Sequence, residues 1–328
     1  MKLATVGTSF VTDHFIQAAQ KEGSFEVDTV FSRTAQKAQV LADKYNILHT
    51  QSDWQALLAD PQIDVVYLAT PNDTHFSLAK DILLAKKHVI VEKPFVSNIA
   101  EFKEILRIAQ SVDRYVFDAI IPVHLPNFKT LKQAVKLIGR ISLCNFSMVQ
   151  RSSRYTSLLA SEEPAIFSLE HSGGALMDLG IYPITMCVGT FGSPKNVTYQ
   201  CNKYTNGIDL SGVITMTYDG FIAVASIAKD STGLNFMSIG GDKAHLQAEK
   251  SPSSLSQILL VESNKSTELG FPQDELTMVY EIKDFYDVIM DHDDQKYEEW
   301  MAITEKAILV LDECRKHANL FFKADGVK

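Results

Sequence analysis

The sequence predicts an α/β protein, with a doubly wound parallel sheet followed by an α+β domain built on an open, mainly antiparallel sheet. Three observations carry that prediction. The first 120 residues alternate short apolar runs with amphipathic stretches, the β-α alternation of a parallel sheet. After Ala119 the texture changes, and strand-like runs follow one another across turn signals with few helices between them. The tail returns to helical periodicity over residues 275–290 and 299–316. A chain of 328 residues is long enough for two domains, which this reading places at 1–120 and 121–328.

In the first domain the strands read 3–6, 26–31, 65–69, 88–91 and 115–119. Apart from 26–31, which carries Glu26 and Asp28, they are largely apolar runs, as expected of strands covered on both faces. Helical patterns over 13–22, 34–44, 52–58, 74–85 and 99–111 separate them, with Asp73 or Thr74 and Ser97 or Asn98 as caps. Residues 120–126 carry two prolines and read as a hinge. Beyond it, the runs 212–218 and 221–227 flank Asp219-Gly220, a two-residue hairpin signal. The runs 236–239 and 244–247 flank Gly240-Gly241-Asp242-Lys243 in the same way. A helix over 175–187 interrupts this sheet early, and Ser251 to Ser256 form a Ser-rich loop.

Composition excludes several classes. A net charge of −9 and a pI near 5.5 argue against a nucleic-acid partner. Cys144, Cys187, Cys201 and Cys314 are scattered and read as reduced core thiols, with no metal site and no disulfide framework. No secretory leader and no apolar run of membrane length stands out, so the expected compartment is the cytoplasm and the expected partner a small molecule.

The chemistry gathers where strands of the first domain end, since open α/β sheets bind ligands outside those carboxyl ends. The run 88–91 delivers Glu92 and Lys93 to that rim, and Pro94 stiffens the backbone of Lys93. A lysine held there can polarise a substrate oxygen. The first β-to-α turn reads Gly7-Thr8-Ser9-Phe10-Val11, and it keeps only the first glycine of a dinucleotide fingerprint. Gly7 can make the tight turn, and the helix N-terminus behind it can face a pyrophosphate. The second strand ends in Ser32-Arg33-Thr34 with Lys37 one turn on. An NAD site commonly places an acid here; hydroxyls and a guanidinium suit the 2′-phosphate of NADP instead. Thr70, Pro71, Asn72 and His75 follow the next strand, on the nicotinamide side. His75 reads as a packing or hydrogen-bonding residue ahead of a base.

In the second domain Asp178 and Tyr182 stand at i and i+4 of the expected helix and share a face. A phenol near an ammonium such as Lys93 transfers its proton more easily near neutrality. The paired glycines Gly173 and Gly174 permit close approach of a ligand or another strand. His124, Arg154 and Tyr155, with Arg151, are candidates for the substrate pocket because their segments flank the hinge.

Glu92-Lys93-Pro94, together with Gly173-Gly174-x-Leu176-x-Asp178-x-Gly180-x-Tyr182, resembles the Gfo/Idh/MocA oxidoreductases. The family is named for glucose-fructose oxidoreductase, inositol dehydrogenase and a rhizopine-catabolism protein. The resemblance spans essentially the whole chain. It implies a Rossmann domain and a sheet domain whose open face mediates a homodimer or higher homo-oligomer. It also implies Lys93 as the catalytic lysine, Asp178 as the helix aspartate and Tyr182 as the acid/base. Tyrosine at that position is similar to the glucose-fructose oxidoreductase and dimeric dihydrodiol dehydrogenase branches, which use NADP. Two departures stand out: the glycine loop is reduced to Gly7-Thr8-Ser9, and Val123 occupies the usual arginine position.

The expected function is that of an NADP-dependent dehydrogenase, with NAD a possible cofactor. It transfers hydride to or from a secondary hydroxyl or carbonyl of a sugar, polyol or cyclic diol. The alternatives are a non-catalytic, dinucleotide-binding regulator of the same fold and a reductase of a non-sugar substrate.

Overall fold

A computed structural model describes residues 1–326. The chain opens with β1 (Lys2–Val6), α1 (Phe10–Glu22), β2 (Glu26–Phe31), α2 (Ala35–Tyr45), β3 (His49–Gln51) and α3 (Trp54–Ala59). There follow β4 (Val65–Leu68), α4 (His75–Leu84), β5 (His88–Glu92), α5 (Ile99–Ser111) and β6 (Val116–Ala119). The six strands form one parallel sheet in the order β3-β2-β1-β4-β5-β6. The order reverses between β1 and β4, the switch point at which such sheets hold dinucleotides. Val65 to Leu68 and Val89 to Glu92 are buried at every position, so the apolar runs reflect cover on both faces. Two departures from the sequence reading occur here. Helix α1 starts at Phe10, three residues before the 13–22 expected, and β3 is too short and polar to announce itself.

The rest of the chain gives α6 (Pro126–Ala134), β7 (Ile141–Val149), α7 (Tyr155–Leu159), α8 (Ile181–Phe191), β8 (Asn196–Lys203), β9 (Asp209–Tyr218) and β10 (Phe221–Ala228). After these come β11 (Phe236–Gly241), β12 (His245–Ala248), β13 (Leu259–Glu262), β14 (Lys265–Glu268), α9 (Met278–Asp291) and α10 (Asp294–His317). Strands β7 to β14 form an eight-stranded sheet in the order β14-β13-β12-β11-β7-β10-β9-β8. Its neighbours pair antiparallel except β7 and β10, which run parallel. Asp219-Gly220 makes the hairpin turn between Tyr218 and Phe221, with Gly220 at φ 84°. The proline-rich stretch after β6 is more than a hinge: Pro126 sits in the first turn of α6, where its missing N–H has no helical partner to lose.

Two compact units result. The first comprises residues 1–120 with 274–301; the second comprises 121–273 and the chain from 302. The tail therefore does not stay with the second unit throughout. Helix α9 joins the first because its apolar stripe covers one face of the parallel sheet, where Phe285 stacks on Phe117 at 4.6 Å. On that same face Phe15 of α1 stacks on Tyr67 at 3.5 Å. Among the described residues, no helix is long and apolar enough to cross a membrane.

Candidate active site

At the carboxyl edge of the first unit's sheet, Gly7 turns the chain at φ +114°, and a Cβ there would lie 2.3 Å from the carbonyl oxygen of Ala69. The turn after β1 is thus drawn against the end of β4, which only glycine allows. Thr8 and Val11 are half-buried, and Ser9 and Phe10 are exposed. Ser9 makes no side-chain cap to α1, and Thr34 makes none to α2. Helices α3 and α5, by contrast, are capped by Asp53 and Asn98. The first turns of α1, which opens at the switch point, and of α2, which follows β2, therefore carry no side-chain cap that would compete with an anion.

Arg33, Thr34 and Lys37 are exposed at the end of β2, with Ser32 half-buried beside them and accepting the Thr34 N–H at 3.2 Å. The one acid of β2 near this end, Asp28, is paired with Lys2 at 2.7 Å, and that contact helps hold its carboxyl below the usual range against the opposing effect of burial. Nothing acidic in the run 32–34 opposes a phosphate. These residues fit the adenosine half of NADP.

On the nicotinamide side, Pro71 is exposed and Thr70 and Asn72 are half-buried. His75 is buried between two carbonyls: Nδ1 lies 3.0 Å from Pro94 O and Nε2 2.9 Å from Thr70 O. Burial lowers its pKa while the two carbonyls favour the protonated ring, and the ring braces the loop after β4 against the loop after β5. Lys93 is half-buried directly after β5, and its peptide bond to Pro94 is cis. Glu92 is buried and accepts from Tyr67 Oη at 2.5 Å.

Sequence reasoning missed Glu281 of α9. It is fully buried, and neither carboxylate oxygen has a hydrogen-bond partner among the described residues. Burial, with the Glu92 and Asp118 carboxyls nearby, raises its pKa well above the carboxylate range. The folded chain holds a proton there that the unfolded chain gives up, so stability falls as pH rises from the ordinary carboxyl range toward the folded value. Glu281→Gln removes that dependence. Between those two limits the wild type should lose about 1.4 kcal/mol per pH unit relative to the variant. Thermal unfolding of both proteins from pH 5 to 9 checks this, and parallel curves would refute it.

In the second unit the segment before α8 is a π-helical turn, Leu176–Gly180. Pro183 follows shortly after it and, having no N–H, cannot donate to Leu179. Asp178 lies in this turn and Tyr182 in the first turn of α8; both are half-buried. Gly173 and Gly174 serve a strand and a loop. A Cβ on Gly174 would lie 2.0 Å from Asp209 Oδ1, and one on Gly173 2.6 Å from Ile166 O. Asp209 uses this access to accept the Leu176 N–H and the Tyr199 hydroxyl, each at 2.7 Å, and so anchors the turn.

Asp178 pairs with Lys229, which immediately follows β10. This lysine was also missed. Its signal is the one that marks Lys93, a lysine at the end of an apolar strand. Arg151 lies 5.2 Å over the Tyr155 ring, and Tyr155 meets Phe167 edge-on at 6.1 Å. Arg154 is exposed, and His124 is buried in the short turn Ile121–His124.

Residues 1–119 match the oxidoreductase family with an NAD-binding Rossmann fold, and residues 128–247 match the GFO/IDH/MocA C-terminal domain. The uncharacterized oxidoreductase YgjR of Escherichia coli K12 is 31% identical over 328 residues, covering 100% of this chain and 99% of its own. The scyllo-inositol 2-dehydrogenase (NADP(+)) IolU of Bacillus subtilis 168 is 30% identical over 325 residues, covering 99% of each. Among solved structures, KijD10, a 3-ketoreductase from Actinomadura kijaniata in complex with NADP and TDP-benzene, superposes with a TM-score of 0.86. It is 17% identical over 97% of both chains and so speaks to the fold.

Proposed function

Because the chain belongs to the Gfo/Idh/MocA oxidoreductases, an NAD(P)-dependent family, we propose that it uses NADP to oxidise a secondary hydroxyl, or reduce the matching carbonyl, of a sugar, polyol or cyclic diol. The observation that carries this reading is Lys93, an ammonium set directly after β5 at the ligand-binding edge of the sheet. The name of IolU, which joins a cyclic polyol to NADP, supports the substrate class.

When bound, NADP supplies or accepts the hydride at C4 of its nicotinamide. Lys93 Nζ donates to the substrate oxygen and stabilises the charge that develops there. Tyr182 Oη takes the hydroxyl proton during oxidation and returns it during reduction. Asp178 accepts from a substrate hydroxyl and orients the ring. The amides at the start of α1 hold the pyrophosphate, and Ser32, Arg33, Thr34 and Lys37 hold the 2′-phosphate. A screen of NADP-linked absorbance change across sugars, polyols and diols tests the reading; no turnover on any of them would refute it.

The outer face of the second unit's sheet suits self-association. Leu143, Val213, Ile222 and Phe236 fall on one face by strand register, and each is 36% to 44% exposed. A homodimer through this face is part of the proposal.

Cofactor choice yields a further expectation. A charge-assisted hydrogen bond contributes about 1.5–3 kcal/mol, so Arg33→Ala should raise the NADP dissociation constant by roughly 10- to 100-fold. NAD, which lacks the phosphate, should bind the variant and the wild type alike. Fluorescence titration of both cofactors into both proteins decides it. Equal wild-type affinities, or an NADP affinity unmoved by the substitution, would overturn the assignment.

A further inference from the structure

Lys229 is held more firmly than a surface lysine. Its N–H bonds Leu210 O and its carbonyl accepts from the Ser152 N–H, both at 2.8 Å. Its side chain is 7% exposed, while that of its partner Asp178 is 20% exposed. The ammonium also lies 6.0 Å from the centre of the Phe167 ring. Through Phe167 and Tyr155 the pair connects to Arg151, so one run of contacts joins the loop after β7 to the π-turn.

Stability alone is a weak reason for such a pair. Desolvating two charges costs much of what their attraction returns, and apolar residues of equal volume commonly do as well. What the pair offers is a matched donor and acceptor. An ammonium carries several N–H donors, and Asp178 is the one hydrogen-bond acceptor of the Lys229 ammonium among the described residues. The carboxylate is the more exposed member. A donor and an acceptor fixed side by side complement two neighbouring hydroxyls, one donating to the carboxylate and the other accepting from the ammonium.

We propose that Lys229 is a substrate-binding residue that, with Asp178, reads a vicinal diol. This rests on the chain being a polyol oxidoreductase, and it narrows the substrate class to compounds with adjacent hydroxyls. Lys229 acts on affinity for the second hydroxyl, whereas the proton transfer belongs to Tyr182.

The test compares cyclic vicinal diols with their monodeoxy counterparts in NADP-linked assays of the wild type, Lys229→Met and Lys229→Arg. For the wild type, KM should be lower for the diol than for the deoxy compound. Lys229→Met should raise KM for the diol by about 10- to 100-fold, with a much smaller change in kcat. Its KM for the deoxy compound should rise by a clearly smaller factor, because Asp178 loses its ion-pair partner with either substrate but only the diol loses a second hydrogen bond, and Lys229→Arg should recover most of the loss. Lys229→Gln replaces Lys229→Met if the latter fails to bind NADP with wild-type affinity. No wild-type turnover on any hydroxyl compound would overturn the enzymatic reading and the proposal with it. Turnover in which diol and deoxy compound suffer equally from the substitution would overturn the proposal alone. So would a loss confined to kcat.

Discussion

Lys93→Met should lower kcat/KM by about three powers of ten while leaving the NADP dissociation constant within a few-fold. The magnitude follows from the role. A single preorganised donor to a developing oxyanion is worth about 10²–10³ in rate. The structure holds the backbone on either side of this proposed donor. The residue before it, Glu92, is buried at the end of β5 and tied to Tyr67 at 2.5 Å. The residue after it, Pro94, has its carbonyl 3.0 Å from the buried ring of His75. With both neighbours clamped, the lysine can vary only along its own stem. Methionine keeps the length and apolar volume of that stem and removes the charge, so the loss measures electrostatics rather than packing. Lys93→Arg should not restore the rate, because a planar fork cannot replace a compact point charge at one oxygen. Steady-state kinetics on a substrate from the screen, with NADP titration and circular dichroism as controls, measures the effect. A folded variant within about tenfold of wild type would refute the role.

The parts legible in the sequence were those in which local chemistry and tertiary role coincide. Buried parallel strands favour apolar runs, so β4 and β5 stand out most clearly, and β1, β2 and β6 follow from their place in the β-α alternation. Asp219-Gly220 specified its hairpin because the turn needs a residue with positive φ, and Gly220 supplies it at 84°. The missed parts depend on partners far along the chain. Lys229 and Asp178 are 51 residues apart, and no spacing rule joins a strand end to a helical turn. Glu281 lies on an amphipathic helix whose period reveals a buried face without saying which sheet it covers. The sequence placed that helix with the second domain, but it folds with the first. The π-turn was read as ordinary helix, because periodicity is insensitive to one widened turn. Pro183 was the available sign of it.

Tyr182→Phe should lower kcat for oxidation by about 10²–10⁴, the range for losing a positioned acid or base, and should change the pH profile as well as the rate. Tyr182 is half-buried at the point where the π-turn meets α8. Phenylalanine keeps the ring, so stability should stay within about 1 kcal/mol of wild type. What is lost is the oxygen proposed to carry the proton. If Tyr182 carries the proton, oxidation draws on its phenolate and reduction on its phenol, so the wild-type rates in the two directions should depend on pH with opposite sign. In Tyr182→Phe both limbs should flatten, because water replaces the residue without a pKa of its own in that range. The two predictions are separable: Lys93→Met should depress the whole profile, whereas Tyr182→Phe should depress it and remove its shape. Measuring kcat for both directions from pH 6 to 10 tells them apart. A Tyr182→Phe enzyme that keeps the wild-type limbs, at whatever rate, would show that another group carries the proton.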